Sequence, residues 1–359
     1  MKIQELLLHA EQHWNDASVL VDIGIELESR SRLPESRRIL ERAIGLSPQG
    51  FPEAYAALAF AHFRDVQSTD EKGELALIQG LEATDSDLLK AWYIAFLDDA
   101  PTRDYFIEYL SEQNNPLVHI ILGHALLWQG MHEESYAVLQ DAFSALGPDY
   151  LEDLPKELQV YCSSLVWLQG IMPSLQSDVI SLPILHALQQ KYPNVYSHYA
   201  TEITALQVAK KWNEVIEACK KTLAVFPDEE TTMLAMALAN DKCGESTIAL
   251  EWLEKAIAAK PSFARARMVA ARILQSLKKH AEAEELMLQI PTANPHYALG
   301  FLHVAIFLYD KGEVNRALEL YRHGYANLKP YEKAQMDAHP TIQKLAEEQK
   351  KTILLNVLN

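Results

Sequence analysis

Residues 230–263 read ETTMLAMALANDKCGESTIALEWLEKAIAAKPSF, and this stretch decides the fold. Met233, Met236, Ala237 and Asn240 follow an i, i+3, i+4, i+7 rhythm, so TTMLAMALAND predicts one helix. KCGES predicts a turn, with Gly244 supplying a residue tolerant of positive φ at a helix end. Ala249, Leu253 and Ala256 mark the buried face of a second helix, TIALEWLEKAIAA. Pro261 ends that helix because it cannot donate the next backbone hydrogen bond.

The same unit recurs. Pro193, Pro227, Pro261 and Pro295 are 34 residues apart, and two alanine rows keep step: Ala237, Ala271, Ala305 and Ala249, Ala283, Ala317. A fixed period of this length predicts stacked helix–turn–helix units. The alanines are explained by distance, since paired helices approach closely only where side chains are small. Earlier stretches carry parts of the pattern. Residues 17–50 offer Gly24, Leu27, Leu40, Ala43 and Pro48, and residues 116–149 offer Gly123, Leu126, Gly130, Leu139 and Ala142.

With its small residues in both helices, turn glycine and terminal proline, the chain resembles the tetratricopeptide repeat family. The resemblance implies an all-α, right-handed α-solenoid superhelix of about nine helix–turn–helix repeats with capping helices. The expected organisation is a capping helix at 1–16, repeats over 17–149 that degenerate at 85–115, an irregular pair or hinge at 150–193, regular repeats over 194–331 and a capping helix at 332–359. At that C-terminal end the segment KKTILLNVL is expected to pack inward.

The chain has 359 residues, more than one compact core organises, but a solenoid grows by adding neighbours. Forty-nine acidic against 32 basic side chains give a net charge of −17, which disfavours nucleic acid and anionic membrane surfaces. Cys162, Cys219 and Cys243 are scattered without a CxxC pair, so neither a disulfide framework nor a zinc site is expected. Cys219 and Cys243 are both expected near the core. The start, MKIQELLLHAEQHW, lacks the long apolar run of a signal peptide, so a cytoplasmic location is expected.

No phosphate loop, GxGxxG or GxSxG occurs. His9 and His13 share a helix face, but the glutamate of a metalloprotease motif is missing, with Ala10 in its place. Trp14, Trp128, Trp167, Trp212 and Trp252 read as packing residues. No enzyme activity, cofactor or metal is expected.

In the resembled family the first helix of each repeat lines a concave groove. That registration selects Leu234, Leu238 and Asp241, then Arg265, Met268, Arg272 and Gln275, then Leu302, Ile306 and Tyr309. Either the apolar rows face a partner, or a tight superhelix buries them. From Ser262 to Ala281 there is no acidic residue, whereas Arg265, Arg267, Arg272, Lys278 and Lys279 all occur. Arg265 and Arg272 either fork onto an acidic group of a partner or pair with Asp241 or Glu230. The expected role is a scaffold binding a peptide or helix. The alternatives are self-assembly into a homo-oligomer through the C-terminal KKTILLNVLN, or a small-molecule-responsive regulatory solenoid.

Overall fold

The computed structural model describes residues 2–66, 71–97, 99–146, 154–155, 158–172, 174–295, 297–328, 333 and 336–358. Among these residues the regular structure is helical throughout. Two compact units result, Met1–Asp228 and Glu229–Asn359. The division falls between Asp228 and Glu229.

In the first unit, α1 (Ile3–Gln12) precedes six helix pairs. They are α2 (Ala17–Ser29) with α3 (Leu33–Leu46), α4 (Pro52–Val66) with α5 (Glu71–Thr84), and α6 (Asp87–Phe96) with α7 (Ala100–Ser111). Next come α8 (Pro116–Trp128) with α9 (His132–Leu146), α10 (Leu158–Ile171) with α11 (Ser177–Lys191), and α12 (Tyr196–Val208) with α13 (Trp212–Val225). The second unit holds α14 (Glu230–Lys242) with α15 (Ser246–Ala259), α16 (Ala264–Ser276) with α17 (His280–Ala293), α18 (Ala298–Asp310) with α19 (Val314–Ala326), and finally α20 (Pro340–Leu358).

Each pair is built on offsets that can be counted. The small residue of the first helix is followed 12 and 16 positions later by two residues of the second: Gly24–Ser36–Leu40, Gly123–Ser135–Leu139, Ala237–Ala249–Leu253, Ala271–Ala283–Met287 and Ala305–Ala317–Tyr321. All of these are buried. Where serine replaces alanine, its hydroxyl is satisfied locally. Ser36 donates to the Gly24 carbonyl and Ser135 to the Gly123 carbonyl, each at 2.7 Å.

Seven positions after the small residue, the chain turns through the left-handed region. Gly130, Gly244 and Gly312 sit there with φ of 78°, 89° and 85°. Ser31 and Lys278 occupy the equivalent places with φ of 56° and 63°, and so does Lys210, at 59°, where Ile203 stands in place of the small residue. One bond closes all six turns, from the third residue past the helix back to its last turn, as in Arg32 N–H to the Leu27 carbonyl (2.8 Å) and Glu245 N–H to the Asn240 carbonyl (2.9 Å). Because a side chain is strained at positive φ, Lys210→Gly is expected to raise the stability of the first unit by about 0.5–1 kcal/mol. Amide exchange of α12 and α13 checks this, and unchanged or faster exchange contradicts it.

Both ends are covered. Leu6 and Ala10 of α1 are buried against α2 and its neighbours, and Ile342 and Leu345 of α20 join the core formed by α16 to α19. Helix α20 begins at Pro340, later than the expected 332. The inward packing of KKTILLNVL concerns side chains from 353 onward, which lie outside the described residues.

Candidate functional site: two helix-lined surfaces

The second unit carries the residues selected from the sequence. On α16, Arg265, Arg272 and Gln275 are exposed and Met268 is half-buried. Leu238 on α14 and Ile306 and Tyr309 on α18 are half-buried as well. Leu234 and Leu302 depart from the expected apolar rows: both are buried, Leu302 completely, within the core rather than on its surface. A neighbouring helix closes over this part of each stripe, and Leu302 joins the apolar core that α16 to α20 share.

The arginines divide in function. Arg272 donates to the Asp241 carboxylate at 3.0 Å, the intramolecular partner the sequence named. Glu230, the other named partner, binds Lys260 at 2.8 Å instead. Arg267 is buried and donates to the Pro261 carbonyl, and desolvation holds its pKa below the usual arginine value. Arg265 remains outward with no described ion pair.

The first unit is organised differently. Its first helices α2, α4, α6, α8, α10 and α12 pack each on the next, and α12 returns to α2. An aromatic wall runs across the middle members, α4, α6 and α8. Phe60 lies 5.5 Å from Trp92 and 5.8 Å from Phe96, and Trp92 stacks on Phe96 at 5.3 Å with a 7° interplanar angle. Trp128 completes it, 5.4 Å from Phe96 and 46% exposed. Trp128 thus packs between repeats as the sequence suggested, whereas Trp167, on the adjacent α10, is 62% exposed and departs from that reading. Cys243 also departs from expectation: it caps α14 and is exposed.

The wall has a signal of its own in the sequence. Phe60, Trp92 and His124 are 32 residues apart, and so are Arg64, Phe96 and Trp128. The two columns are offset by four, one helical turn. Shortened repeats in this region replace the 34-residue period and hid the pattern.

His124 links the wall to α10. Trp128 Nε1–H donates to His124 Nε2 at 3.0 Å, so Nε2 is the acceptor and the proton resides on Nδ1. Nδ1 faces Ser164 Oγ at 2.8 Å, and Ser164 passes its own proton to the Val160 carbonyl at 2.8 Å. Both ring nitrogens are thereby committed in the neutral form, and burial pushes the pKa down to about 4. At the rim, Arg64 binds the Glu28 carboxylate, the Glu28 carbonyl (2.7 Å) and the Ser31 hydroxyl (2.7 Å). Burial raises the Glu28 pKa against the opposing pull of Arg64.

A cleft of about 390 Å³ between α11, α12 and α13 holds a buried carboxylate, Glu202. His186 Nε2 and Gln189 Nε2 each reach one of its oxygens at 2.7 Å. A carboxylate so saturated is a structural anchor rather than a base. Cys162 and Cys219 are buried and their thiols are shifted up by desolvation, Cys219 to about 12, which removes them from nucleophilic chemistry near neutrality. The described residues hold no cluster of three or more His, Cys, Asp or Glu able to bind a metal, and no described helix is long and apolar enough to cross a membrane.

No protein-family model matches the chain, and no curated protein matches it. Similar solved structures include a crystal structure of MamA, 17% identical over 44% of this chain and 92% of that one, with a TM-score of 0.36. Another, MamA MSR-1 C2, is 18% identical over 49% of this chain and 92% of that one, with a TM-score of 0.38. A human IFIT1 dimer with PPP-AAAA is 13% identical over 86% of this chain and 72% of that one, with a TM-score of 0.46. These values are low, and the chain's own geometry carries the assignment. Nine successive described helix pairs, six of them closed by the same turn bond at the same spacing, give the described residues an all-α helix–turn–helix repeat fold of the tetratricopeptide-like kind.

Proposed function

We propose that the chain is a non-enzymatic interaction scaffold that receives a peptide segment or helix on the second unit. Leu238, Met268, Ile306 and Tyr309 offer partly exposed apolar contact, and Arg265, Arg272 and Gln275 offer the polar contacts that orient it. The carrying observation is exposure. On α16 three of four stripe residues face solvent, whereas on α4, α6 and α8 of the first unit Phe60, Trp92, Phe96 and Trp128 pack on one another.

Arg265 favours an acidic group on the partner, because it stands free of described ion pairs on a chain of net charge −17. Arg272 is already neutralised by Asp241, so it orients the partner only by sharing that carboxylate. The same net charge disfavours a phosphate backbone as the ligand. Buried, unpaired Cys162 and Cys219 suit a reducing, cytoplasmic setting.

Arg265→Glu with Arg272→Glu is expected to cut capture of a bound protein partner at least tenfold while far-ultraviolet circular dichroism stays unchanged. Pull-down from a lysate of the source cell, quantified by mass spectrometry against wild type, measures it. Equal capture by both proteins removes this surface from consideration.

A further inference from the structure

We infer that the contact between α2 and α12 is a latch, one that opens while the repeats on either side stay folded and so uncovers the aromatic wall of the first unit.

The contact joins residues 170 positions apart. Helix α12 starts at Tyr196 without a side-chain cap of its own. The Glu26 carboxylate supplies one, accepting from the Tyr196 backbone N–H at 3.2 Å through Oε2 and 3.4 Å through Oε1. A carboxylate at a helix N-terminus satisfies an orphan donor and meets the positive end of the helix dipole. One turn later on α2, Arg30 lies 3.9 Å from Glu26. Its guanidinium stands 6.0 Å from the Tyr196 ring centroid and 5.4 Å from that of Phe226, which follows α13. Glu26 and Arg30 are both buried.

The chemistry of this seam differs from that of the others. Three described apolar clusters each run across neighbouring repeats, from α1 to α6, from α6 to α9 and from α8 to α11, and α2 meets α12 over a narrower contact than any two successive first helices of the unit. None of these described clusters joins α2 to α12, where Tyr196, Tyr199 and Phe226 form a small group of their own. Among its described contacts are a carboxylate, a guanidinium and two rings. A repeat array depends on nearest-neighbour interfaces, so losing this distant contact leaves each neighbour interface intact. A narrow contact at one boundary is also the property that lets a protein open there below its global unfolding limit. Opening would part α2 from α12 and give access to Phe60, Trp92 and Phe96 from the side that Trp128 already shows to solvent.

Hydrogen–deuterium exchange of the full chain tests the latch, comparing wild type with Glu26→Ala, Glu26→Gln and, as a control on exposed α2 surface, Ser18→Ala. The expected result in Glu26→Ala is exchange at least tenfold faster at two places together, the C-terminal half of α2 and the first turn of α12. Peptides of α8 and α9 should keep their wild-type rates, and fluorescence of the apolar dye 1-anilinonaphthalene-8-sulfonate should rise. Glu26→Gln, which keeps an acceptor but loses the charge, should fall between. Three results overturn the inference. Faster exchange confined to α12 makes Glu26 a helix cap and nothing more. Faster exchange throughout the first unit makes the seam inseparable from global unfolding. Unchanged exchange at both places means that the contact holds nothing closed.

Discussion

Gly24→Val is expected to destabilise the first unit by about 3 kcal/mol, as overpacking of a well-filled core does. A Cβ placed on Gly24 would lie 2.6 Å from both Cγ and Cδ2 of Leu40, closer than any real contact. Leu40 is fully buried, so it cannot swing into solvent to make room. The Gly24 carbonyl is tied to Ser36, so α2 cannot slide away from α3 without losing that bond. Truncating the obstacle tests the cause. Leu40→Ala alone is expected to cost about 2–5 kcal/mol through the cavity it leaves. In the double variant the added methyls occupy that cavity, so the two costs should fall short of their sum by about 2 kcal/mol. Urea titration read by hydrogen exchange of α2–α5 peptides follows the first unit separately from the second. Simple additivity would mean that Leu40 is not what the new side chain strikes.

That glycine shows why the fold is legible from sequence. Close approach of two helices demands a small residue, and a strict repeat demands it at a fixed interval. The demand therefore appears as letters: Gly24, Gly123, Ala237, Ala271 and Ala305, each followed by its partners 12 and 16 places on. The turns are less fully legible. Gly130, Gly244 and Gly312 announce positive φ, but Ser31, Lys210 and Lys278 adopt it without any such mark, because the bond back into the last helical turn enforces it. Helix pairs over 85–115 and 158–191 form although the pattern there is weak. Packing against well-formed neighbours determines them more than local preference does.

The surfaces were legible unevenly, for a related reason. The Arg272–Asp241 pair spans 31 residues, one repeat less three, and so could be named in advance. Closure of the first unit could not. It depends on small rotations summed over six repeats, and no local stretch records that sum. Glu26 reads as one more helical glutamate until Tyr196 is seen beside it. Burial of Leu234 and Leu302 has the same origin, since how far a neighbouring helix covers a stripe depends on the angle between repeats. The aromatic wall stood between these cases: its 32-residue spacing was present in the letters, but in a different period from the one being followed.

Acidification provides the second large effect, and His124 is its source. Its folded pKa of about 4 lies below the ordinary 6.5, so the unfolded chain binds the proton first. Above pH 6.5 the ring is neutral in both states and the whole contribution to stability is present. Between pH 6.5 and 4 that contribution is lost, by roughly 3 kcal/mol in total, and below pH 4 the loss levels off. The geometry gives the reason. Nε2 can take a proton only by giving up the Trp128 N–H, and a charged ring would then sit against Trp92 at 5.8 Å with Ser164 on its other side. Glu28 acts in the opposite direction: its raised pKa makes the folded state the better proton acceptor, so acid favours folding there. His303 in the second unit shares the sign of His124, its pKa lowered by burial and then by His339. Comparing wild type with His124→Phe cancels both of these. Ser164 keeps its bond to Val160 in the variant, and the half-exposed Trp128 can donate to water. Chemical denaturation of the two proteins at pH 7 and pH 4.5, read on α8 and α10, is expected to show a wild-type loss larger by 2–3 kcal/mol, in keeping with about 1.4 kcal/mol per pH unit. Equal losses would mean that the ring reaches solvent when it takes a proton, and that the Trp128–His124–Ser164 chain does not hold it neutral.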